Sequence, residues 1–258
     1  LREHRPTVFV GIPSMYNALL RSKSATPEDF ASLRLPVSGG EPLPREVADR
    51  FHERFGVRIL EGYGLTETSP VASVCLPEEW RRGSVGRALP GVRIRIMENG
   101  TELPPGSDGE IRLEGPNIMR GYYRLPEETA TAFDARGAFR TGDIGRLDLD
   151  GHLYITGRLK EMMIVGGENV FPREIEEVLN QHPSVADAGV TSRVDPVRGE
   201  VPIAFVELAE GCDFDETSIL EHCRANLAGY KVPREIRDVE ALPRNPTGKI
   251  LRRALKDL

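Results

Sequence analysis

The first 60 residues alternate between helical and extended hydrophobic patterns. Apolar side chains at helical spacing predict helices over residues 13–22 and 43–56. Residues 33–40 and 57–64 read as short strands that run into glycines. This βαβ rhythm predicts a parallel sheet, whose ligands usually bind beyond the carboxyl ends of the strands. We expect both glycine-bearing strand ends to lie on that edge.

From about residue 83 the pattern changes to an alternation of apolar and polar positions. Turn signals such as Asn99-Gly100 and Asp150-Gly151 separate the alternating stretches. The pattern predicts a small antiparallel barrel or sheet over about residues 83–158.

Beyond Lys160 helical and extended patterns are mixed, which predicts a compact α+β domain. The chain is long enough for two domains, and we place them at residues 1–159 and 160–258. In the second domain, helices are predicted over residues 172–181, 216–227 and 249–258, and strands over residues 185–193, 201–208 and 233–239.

Composition and charge narrow the classes of function. A hydrophobic content of 39% and a charged content of 29% are typical of a globular protein. The net charge of −6 argues against nonspecific binding to nucleic acid, which needs a basic face. No apolar run approaches the ~20 residues that span a bilayer, and no signal peptide is visible. Three cysteines without metal-ligand spacing favour a reducing, cytoplasmic location.

Three common motifs do not fit the sequence. A Walker A loop fails because Pro243 stands in place of its first glycine and Ile250 follows Lys249. A dinucleotide-binding fingerprint fails because Glu67 takes the place of the third glycine. The Gly-x-Ser-x-Gly nucleophile elbow does not occur.

Five glycine-containing motifs follow one another along the chain. They are SGGEPL at 38–43, EGYGLTET at 61–68, FRTGD at 139–143, GRLKEMMIVGGENVFPREIE at 157–176 and PTGK at 246–249. One such motif is a weak signal, because glycine turns beside strands are common. In this order they strongly resemble the adenylate-forming superfamily of acyl-CoA synthetases, firefly-luciferase-like enzymes and peptide-synthetase adenylation domains.

The resemblance covers the whole chain. The chain lacks the Ser/Thr/Gly-rich phosphate loop that precedes these motifs in the family. It implies an α/β fold, in which the C-terminal part of the large AMP-binding domain, a βαβ sheet plus a small β-barrel, precedes a mobile α+β lid domain. Residue 1 is Leu, and the first segment reads as the middle of a folded domain. We therefore expect a fragment or processed piece, the C-terminal half of such an enzyme.

The resemblance assigns nucleotide-binding residues to all five motifs. Tyr63 would lie against the purine, Asp143 would accept from two ribose hydroxyls, Thr66 would contact the α-phosphate and Glu67 would hold Mg²⁺. The residues implied to bind ATP or AMP are Gly40, Glu41, Pro42, Glu61, Gly62, Tyr63, Gly64, Thr66, Asp143, Arg158 and Lys249. Taken singly, Tyr63 also fits a core aromatic, Asp143 a turn aspartate and the Thr-Glu-Thr run a helix cap.

The last two motifs also imply a moving lid. The family has a hinge residue at the position of Lys160, and Gly166 and Gly167 would give clearance to the pantetheine arm of coenzyme A. Lys249 matches the family's Pro-x-Gly-Lys lysine, which places an ammonium between the reacting oxygens while pyrophosphate leaves. Thr66, Glu67 and Lys249 are therefore the expected catalytic residues, although a lone lysine in a turn also fits a solvated surface residue.

These inferences predict an acyl-CoA synthetase with ATP, Mg²⁺ and coenzyme A as its cofactor and substrates. The apolar segment of residues 8–20 carries no basic residue to pair with a second carboxylate, which favours a monocarboxylic fatty or aryl acid over a dicarboxylate. The stretches GIPSMYNALL at 11–20 and GGENVFPREIE at 166–176 favour a medium- or long-chain fatty acid. Two alternatives stay open: a ligase that delivers the acyl group to a carrier protein, and a nucleotide-binding fragment that is inactive without the missing region.

Overall fold

The computed structural model describes residues 1–245 and 248–258, and its chain divides into two compact units. The first unit is Leu1–Thr156 and the second is Gly157–Leu258. Pro246 and Thr247, which open the predicted PTGK motif, lie outside the described residues.

The first unit begins with the predicted alternation of strand and helix. Its first elements are β1 (Val8–Gly11), α1 (Pro13–Arg21), β2 (Leu35–Ser38), α2 (Arg45–Phe55) and β3 (Leu60–Tyr63). β1, β2 and β3 are parallel neighbours, so the predicted parallel sheet is confirmed. α2 ends at Gly56, whose φ of +71° is the left-handed conformation that glycine adopts without steric cost.

Aromatic packing fixes the two helices against this sheet. Tyr16 on α1 contacts Phe51 on α2 edge to face, and Phe30 contacts both Phe51 and Phe55. All four rings are buried, and such pairs add to the free energy gained from burial. The sheet is continued by two short antiparallel strands, β4 (Ser73–Val74) and β5 (Arg87–Ala88).

The β-rich part of the first unit is an open sheet. Its elements are β6 (Arg93–Glu98), β7 (Thr101–Glu102), β8 (Gly109–Glu114), α3 (Pro126–Ala132), β9 (Phe139–Leu147) and β10 (Leu153–Arg158). The strand order β10-β9-β8-β6-β7 leaves β10 and β7 at opposite edges. The predicted barrel closure is therefore wrong, because β7 has two residues and continues no further around the sheet. The alternation correctly predicted antiparallel strands.

The second unit is a mixed sheet with two helices. Its elements are β11 (Met163–Val165), β12 (Glu168–Val170), α4 (Pro172–Leu179), β13 (Val185–Asp195), β14 (Gly199–Leu208), α5 (Glu216–Asn226) and β15 (Glu235–Asp238). The order is β12-β11-β14-β13, with β15 parallel to β14. Apolar residues of both helices and the sheet form one core that includes Ile175, Leu179 and Ile219. The predicted α+β composition is confirmed.

The predicted final helix over residues 249–258 is largely wrong. An isolated bridge pairs Ile250 with Arg244, and the Leu251 N–H donates to the Pro243 carbonyl at 2.7 Å. These bonds hold residues 250–251 extended, so only a 3₁₀ turn at Arg252–Asp257 remains. Among the described residues, no helix has the length and apolar character needed to cross a membrane.

Candidate functional site

The glycine-bearing ends of the parallel strands lie together, as predicted. The Gly39 N–H donates to the Gly11 carbonyl at 3.2 Å, and Ser38 is in register with Glu61. A methyl group on Gly39 would lie 3.8 Å from the Gly62 carbonyl oxygen. Backbone of Gly39 and Gly62 therefore lies together at the carboxyl ends of the strands, the edge where parallel sheets usually bind their ligands.

The SGGEPL segment leaves this edge through Gly40. Gly40 has a φ of +80°, which suits glycine and turns the chain toward α2. Glu41 is half-buried and Pro42 is exposed. Both lie between the end of β2 and the start of α2, and both are among the residues predicted to bind ATP or AMP.

Gly64 is explained by packing within the protein. A methyl group at this position would lie 1.9 Å from the Pro70 carbonyl oxygen and 2.8 Å from the Val71 Cα atom. Gly64 therefore allows the backbone of residues 70–71 to approach the end of β3. Gly62 has more space, since a methyl group added there would lie 3.4 Å from the Ser73 carbonyl oxygen.

Tyr63 and Asp143 are in direct contact. The Tyr63 hydroxyl donates to Asp143 Oδ2 at 2.7 Å, and Asp143 is only 3% exposed. This bond joins the end of β3 to β9, so it connects the two sheets of the first unit. The residues predicted to contact adenine and ribose are thus brought together.

A local irregularity in β9 presents Asp143. Gly142 has a φ of +68°, and the pairing of β8 with β9 shifts register opposite this stretch. The Thr141 hydroxyl donates to the Ile111 carbonyl at 2.7 Å and accepts from the Asp143 N–H at 3.0 Å. Thr141 therefore anchors the turn that the FRTGD motif marks.

Thr66, Glu67 and Thr68 form a 3₁₀ turn directly after β3. Thr66 is exposed and Glu67 is half-buried. Thr68 is fully buried, and its hydroxyl accepts from the Leu65 N–H at 2.9 Å. The buried threonine thus holds the turn that carries the two predicted catalytic residues, Thr66 and Glu67.

A distant segment contacts the same turn and was missed from the sequence. The Tyr122 hydroxyl donates to Glu67 Oε1 at 2.9 Å, and the Met119 N–H donates to the Glu67 carbonyl at 2.8 Å. The Asn117 amide donates to the Thr68 and Val71 carbonyls. Burial and the bond to Glu67 raise the pKa of Tyr122. No local sequence signal indicated these contacts, since Tyr122 and Glu67 are 55 positions apart.

Glu67, the residue predicted to hold Mg²⁺, fits that metal in one respect. Within residues 1–245 and 248–258, no group of three or more His, Cys, Asp or Glu side chains could hold a metal ion. Mg²⁺ at nucleotide sites is usually held by one or two carboxylates plus substrate phosphates. Glu67 therefore suits a metal that arrives with the nucleotide.

The second unit carries the other predicted residues. Arg158 ends β10, and Lys160 is exposed in a 3₁₀ turn at Leu159–Glu161. Gly166 and Gly167 form the turn between β11 and β12, with φ values of +60° and +91°. Two successive positive φ values are typical of a tight hairpin turn, and nothing lies within 4 Å of a methyl group added at either glycine.

Lys249 lies in a hydrogen-bonded loop at the end of the second unit. Its N–H donates to Asn245 Oδ1 at 2.9 Å, and its carbonyl accepts from the Asn245 N–H at 2.9 Å. Gly248 has a φ of +98°. Both backbone groups of Lys249 are thus bonded to Asn245, and Lys249 is half-buried. The predicted site residues therefore fall into two groups, one in each unit.

Comparison with known proteins identifies similar sequences for both units. Residues 1–123 match the family model described as "AMP-binding enzyme", and residues 174–249 match the model described as "AMP-binding enzyme C-terminal domain".

Two curated relatives and one solved structure illustrate the similarity. The chain is 43% identical over 229 residues to a 2-succinylbenzoate–CoA ligase of Geobacillus kaustophilus, covering 88% of this chain and 46% of the relative. It is 38% identical over 253 residues to a long-chain-fatty-acid–CoA ligase of Escherichia coli. That alignment covers 97% of this chain and 45% of the relative. The crystal structure of ATP-bound MatB from Rhodopseudomonas palustris is similar, with a TM-score of 0.92 and 38% sequence identity. The match covers 98% of this chain and 51% of the MatB chain. The chain spans about half the length of the curated relatives it matches.

Proposed function

Because the chain belongs to the adenylate-forming superfamily of AMP-binding enzymes, we propose that it is the C-terminal half of an ATP-dependent acyl-CoA synthetase. The observation that carries this proposal is the bond between Tyr63 and Asp143. It joins two residues that the family resemblance assigns to adenine and ribose.

The proposed reaction has two steps. A carboxylate oxygen of the acid attacks the α-phosphorus of ATP, the bond to the β-phosphate oxygen breaks, and pyrophosphate leaves. The thiolate of coenzyme A then attacks the acyl carbon of the adenylate, and AMP leaves. Mg²⁺, when bound with ATP, neutralises charge on the phosphate oxygens.

Each residue has a role in the first step. Tyr63 and Asp143 orient the nucleoside, Thr66 donates to an α-phosphate oxygen, and Glu67 holds the metal. The Lys249 ammonium stabilises the charge that develops between the carboxylate and the α-phosphate.

A change in the orientation of the second unit would separate the two steps. In this proposal Lys160 is the hinge, Lys249 serves adenylation, and the Gly166–Gly167 turn serves thioester formation. The open space at both glycines supports this role for the turn, since a slender thiol arm needs close backbone approach. Only a few backbone torsions need to change at a hinge.

We infer that the acid is monocarboxylic, with a medium- or long-chain fatty acid as the first candidate. Residues 8–20 carry no basic side chain, and Val8, Val10 and Met15 expose apolar surface in this segment. The named relatives act on acids as different as 2-succinylbenzoate and long-chain fatty acids, so the acid has to be identified by experiment.

The test is a panel of carboxylic acids given with Mg·ATP to the full-length enzyme. The panel contains linear acids of increasing length, aryl acids and dicarboxylates, and pyrophosphate and AMP are measured. We expect release of both with apolar monocarboxylic acids, and thioester formation when coenzyme A is added. Release of ADP and phosphate, or no turnover with any acid, would refute the proposal. Thioester formation on a carrier protein but not on coenzyme A would identify the carrier-protein ligase instead.

A further inference from the structure

An ionic cluster in the second unit joins the segment after Lys249 to the turn that contains Lys160. At its centre is Arg252, whose side chain is 20% exposed. Its Nη1 donates to Glu161 Oε2 at 2.6 Å. Its Nε and Nη2 donate to the two carboxylate oxygens of Glu176 at 2.8 and 2.6 Å. One guanidinium on the C-terminal segment therefore contacts two other parts of this unit, the turn at Glu161 and the helix that carries Glu176.

The two carboxylates connect Arg252 to different elements. Glu176 lies on α4 and is buried, and its Oε1 also accepts from the Val190 N–H on β13 at 2.9 Å. Glu176 is thus part of the packing between helix and sheet. Glu161 is the residue directly after Lys160 and ends the 3₁₀ turn. The bond to Glu161 is therefore the one that reaches the predicted hinge.

Apolar contacts already attach the C-terminal segment to the sheet. Leu255 and Ile250 pack in a cluster with Ile203 and Phe205 of β14. Such contacts are not directional, whereas a guanidinium held by two carboxylates has a fixed planar geometry. Arg252 thus adds a defined orientation relative to the turn at Leu159–Glu161.

We propose that Arg252 is a positioning residue that fastens the Lys249 segment to the Lys160 turn, so that Lys249 moves with the hinge turn as one body. This inference rests on the proposed function, because the roles of Lys160 and Lys249 belong to it. Misplacing a reacting group by about 1 Å can cost roughly 10²-fold in rate. The ion pair between Arg252 and Glu161 therefore supports adenylation, and thioester formation does not require it.

The variant that tests the ion pair between Arg252 and Glu161 is Glu161→Gln. Replacing Arg252 would leave the buried Glu176 without its cation, and that change can unfold a protein. Glu161→Gln keeps the side-chain shape, removes one charge and leaves the bond between Arg252 and Glu176 in place. The matched control is Glu174→Gln, which makes the same change in the ion pair between Glu174 and Lys231, 2.7 Å apart in the same unit.

Both half-reactions are measured with the full-length enzyme. We expect Glu161→Gln to lower kcat for pyrophosphate release by about tenfold, with the KM for ATP and thioester formation from supplied acyl-adenylate within twofold of wild type. Glu174→Gln should change neither half-reaction. Wild-type adenylation in Glu161→Gln, or an equal loss in both half-reactions, would overturn the inference.

Hydrogen exchange gives a second readout that does not depend on activity. The N–H groups of Lys249 and Leu251 are bonded to Asn245 and Pro243, and we expect them to exchange faster in Glu161→Gln than in Glu174→Gln. Unchanged protection in Glu161→Gln would overturn the inference about Arg252, whether or not the wild-type enzyme releases pyrophosphate. A wild-type enzyme that releases no pyrophosphate would refute the proposed function and leave the exchange result as the test of Arg252.

Discussion

The Tyr63 hydroxyl donates a 2.7 Å hydrogen bond to the Asp143 carboxylate, and the two residues are 80 positions apart in the chain. The bond joins the parallel sheet to the antiparallel sheet of the first unit. It places the aromatic ring predicted for adenine beside the carboxylate predicted for ribose. These residues therefore act as one cluster, and a change in either should affect nucleotide binding.

Asp143→Asn should weaken AMP binding by about 10- to 100-fold, because a hydrogen bond to a charged group contributes roughly 1.5–3 kcal/mol. Tyr63→Phe removes a single hydroxyl and should cost less. Titration calorimetry with AMP measures both effects. Asp150→Asn, at the exposed β9–β10 turn, is the control and should bind AMP as wild type does. Equal affinities of Asp143→Asn and Asp150→Asn for AMP would remove Asp143 from the site.

Lys249→Ala should lower the rate of adenylate formation by roughly 10²–10³, the cost of losing one donor that stabilises the transition state. Thioester formation from supplied acyl-adenylate should be spared, since the proposed function assigns the lysine to the first step alone. Stopped-flow pyrophosphate detection and a thioester assay separate the two. Lys256→Ala, an exposed lysine in the last turn, should leave both steps unchanged. Equal damage to both steps in Lys249→Ala would contradict the assignment.

Tyr122→Phe should raise the Mg²⁺ concentration that gives half-maximal pyrophosphate release by roughly tenfold. Its hydroxyl donates to the carboxylate of Glu67, which is the proposed metal ligand, and losing a group that orients a metal ligand typically costs 10- to 100-fold in metal affinity. The control is Tyr123→Phe, whose ring is 82% exposed. If both variants show the same Mg²⁺ dependence, Tyr122 does not position Glu67.

His182 should make the second unit less stable in acid. Burial, and then the neighbouring His222, lower the pKa of His182, so the folded state favours the neutral ring. The contribution of His182 to the free energy of unfolding is complete above its pKa in the unfolded state, about 6.5. It is lost as the pH falls from there through the lower pKa of the folded state. Urea unfolding at pH 7.5, 6.5 and 5.5 should show this loss in wild type and less of it in His182→Gln.

The probe for that experiment has to report on the second unit. Trp80 is the single tryptophan of the chain and lies in the first unit, so hydrogen exchange in α4 and α5 is the suitable measurement. His4→Gln, at an exposed histidine of the first unit, is the control and should keep the wild-type pH dependence. The same slope in His182→Gln would exclude His182 as the cause.

Local patterns predicted the elements well where one periodicity dominates. The helices α1, α2 and α4 and the antiparallel strands were predicted, because their apolar positions repeat along one face. The prediction of the final helix was wrong because the Leu251 N–H donates to the Pro243 carbonyl and Ile250 pairs with Arg244, which keeps residues 250–251 extended. Barrel closure was also wrong, since it depends on the length of β7 and its pairing rather than on alternation.

The motifs located the site, and the residues that support it could not be found in the same way. Tyr63 and Asp143 were chosen from separate motifs, and the structure brings them together. Tyr122, Asn117 and Arg252 act through partners far away in sequence, and nothing in their local pattern separates them from ordinary surface residues. Contacts between residues so far apart in sequence depend on the tertiary fold and leave no local pattern.

The close approach at Gly64 restricts how this protein can evolve. Since even a methyl group there would collide with the backbone of residues 70–71, a saturation library at this position should return glycine alone among active clones. Asn117 donates to the Val71 carbonyl in the same backbone and to the Thr68 carbonyl, so displacing residues 70–71 would disturb the turn that carries Glu67. Changes in nucleotide preference would therefore have to arise at neighbouring positions whose side chains have space to vary.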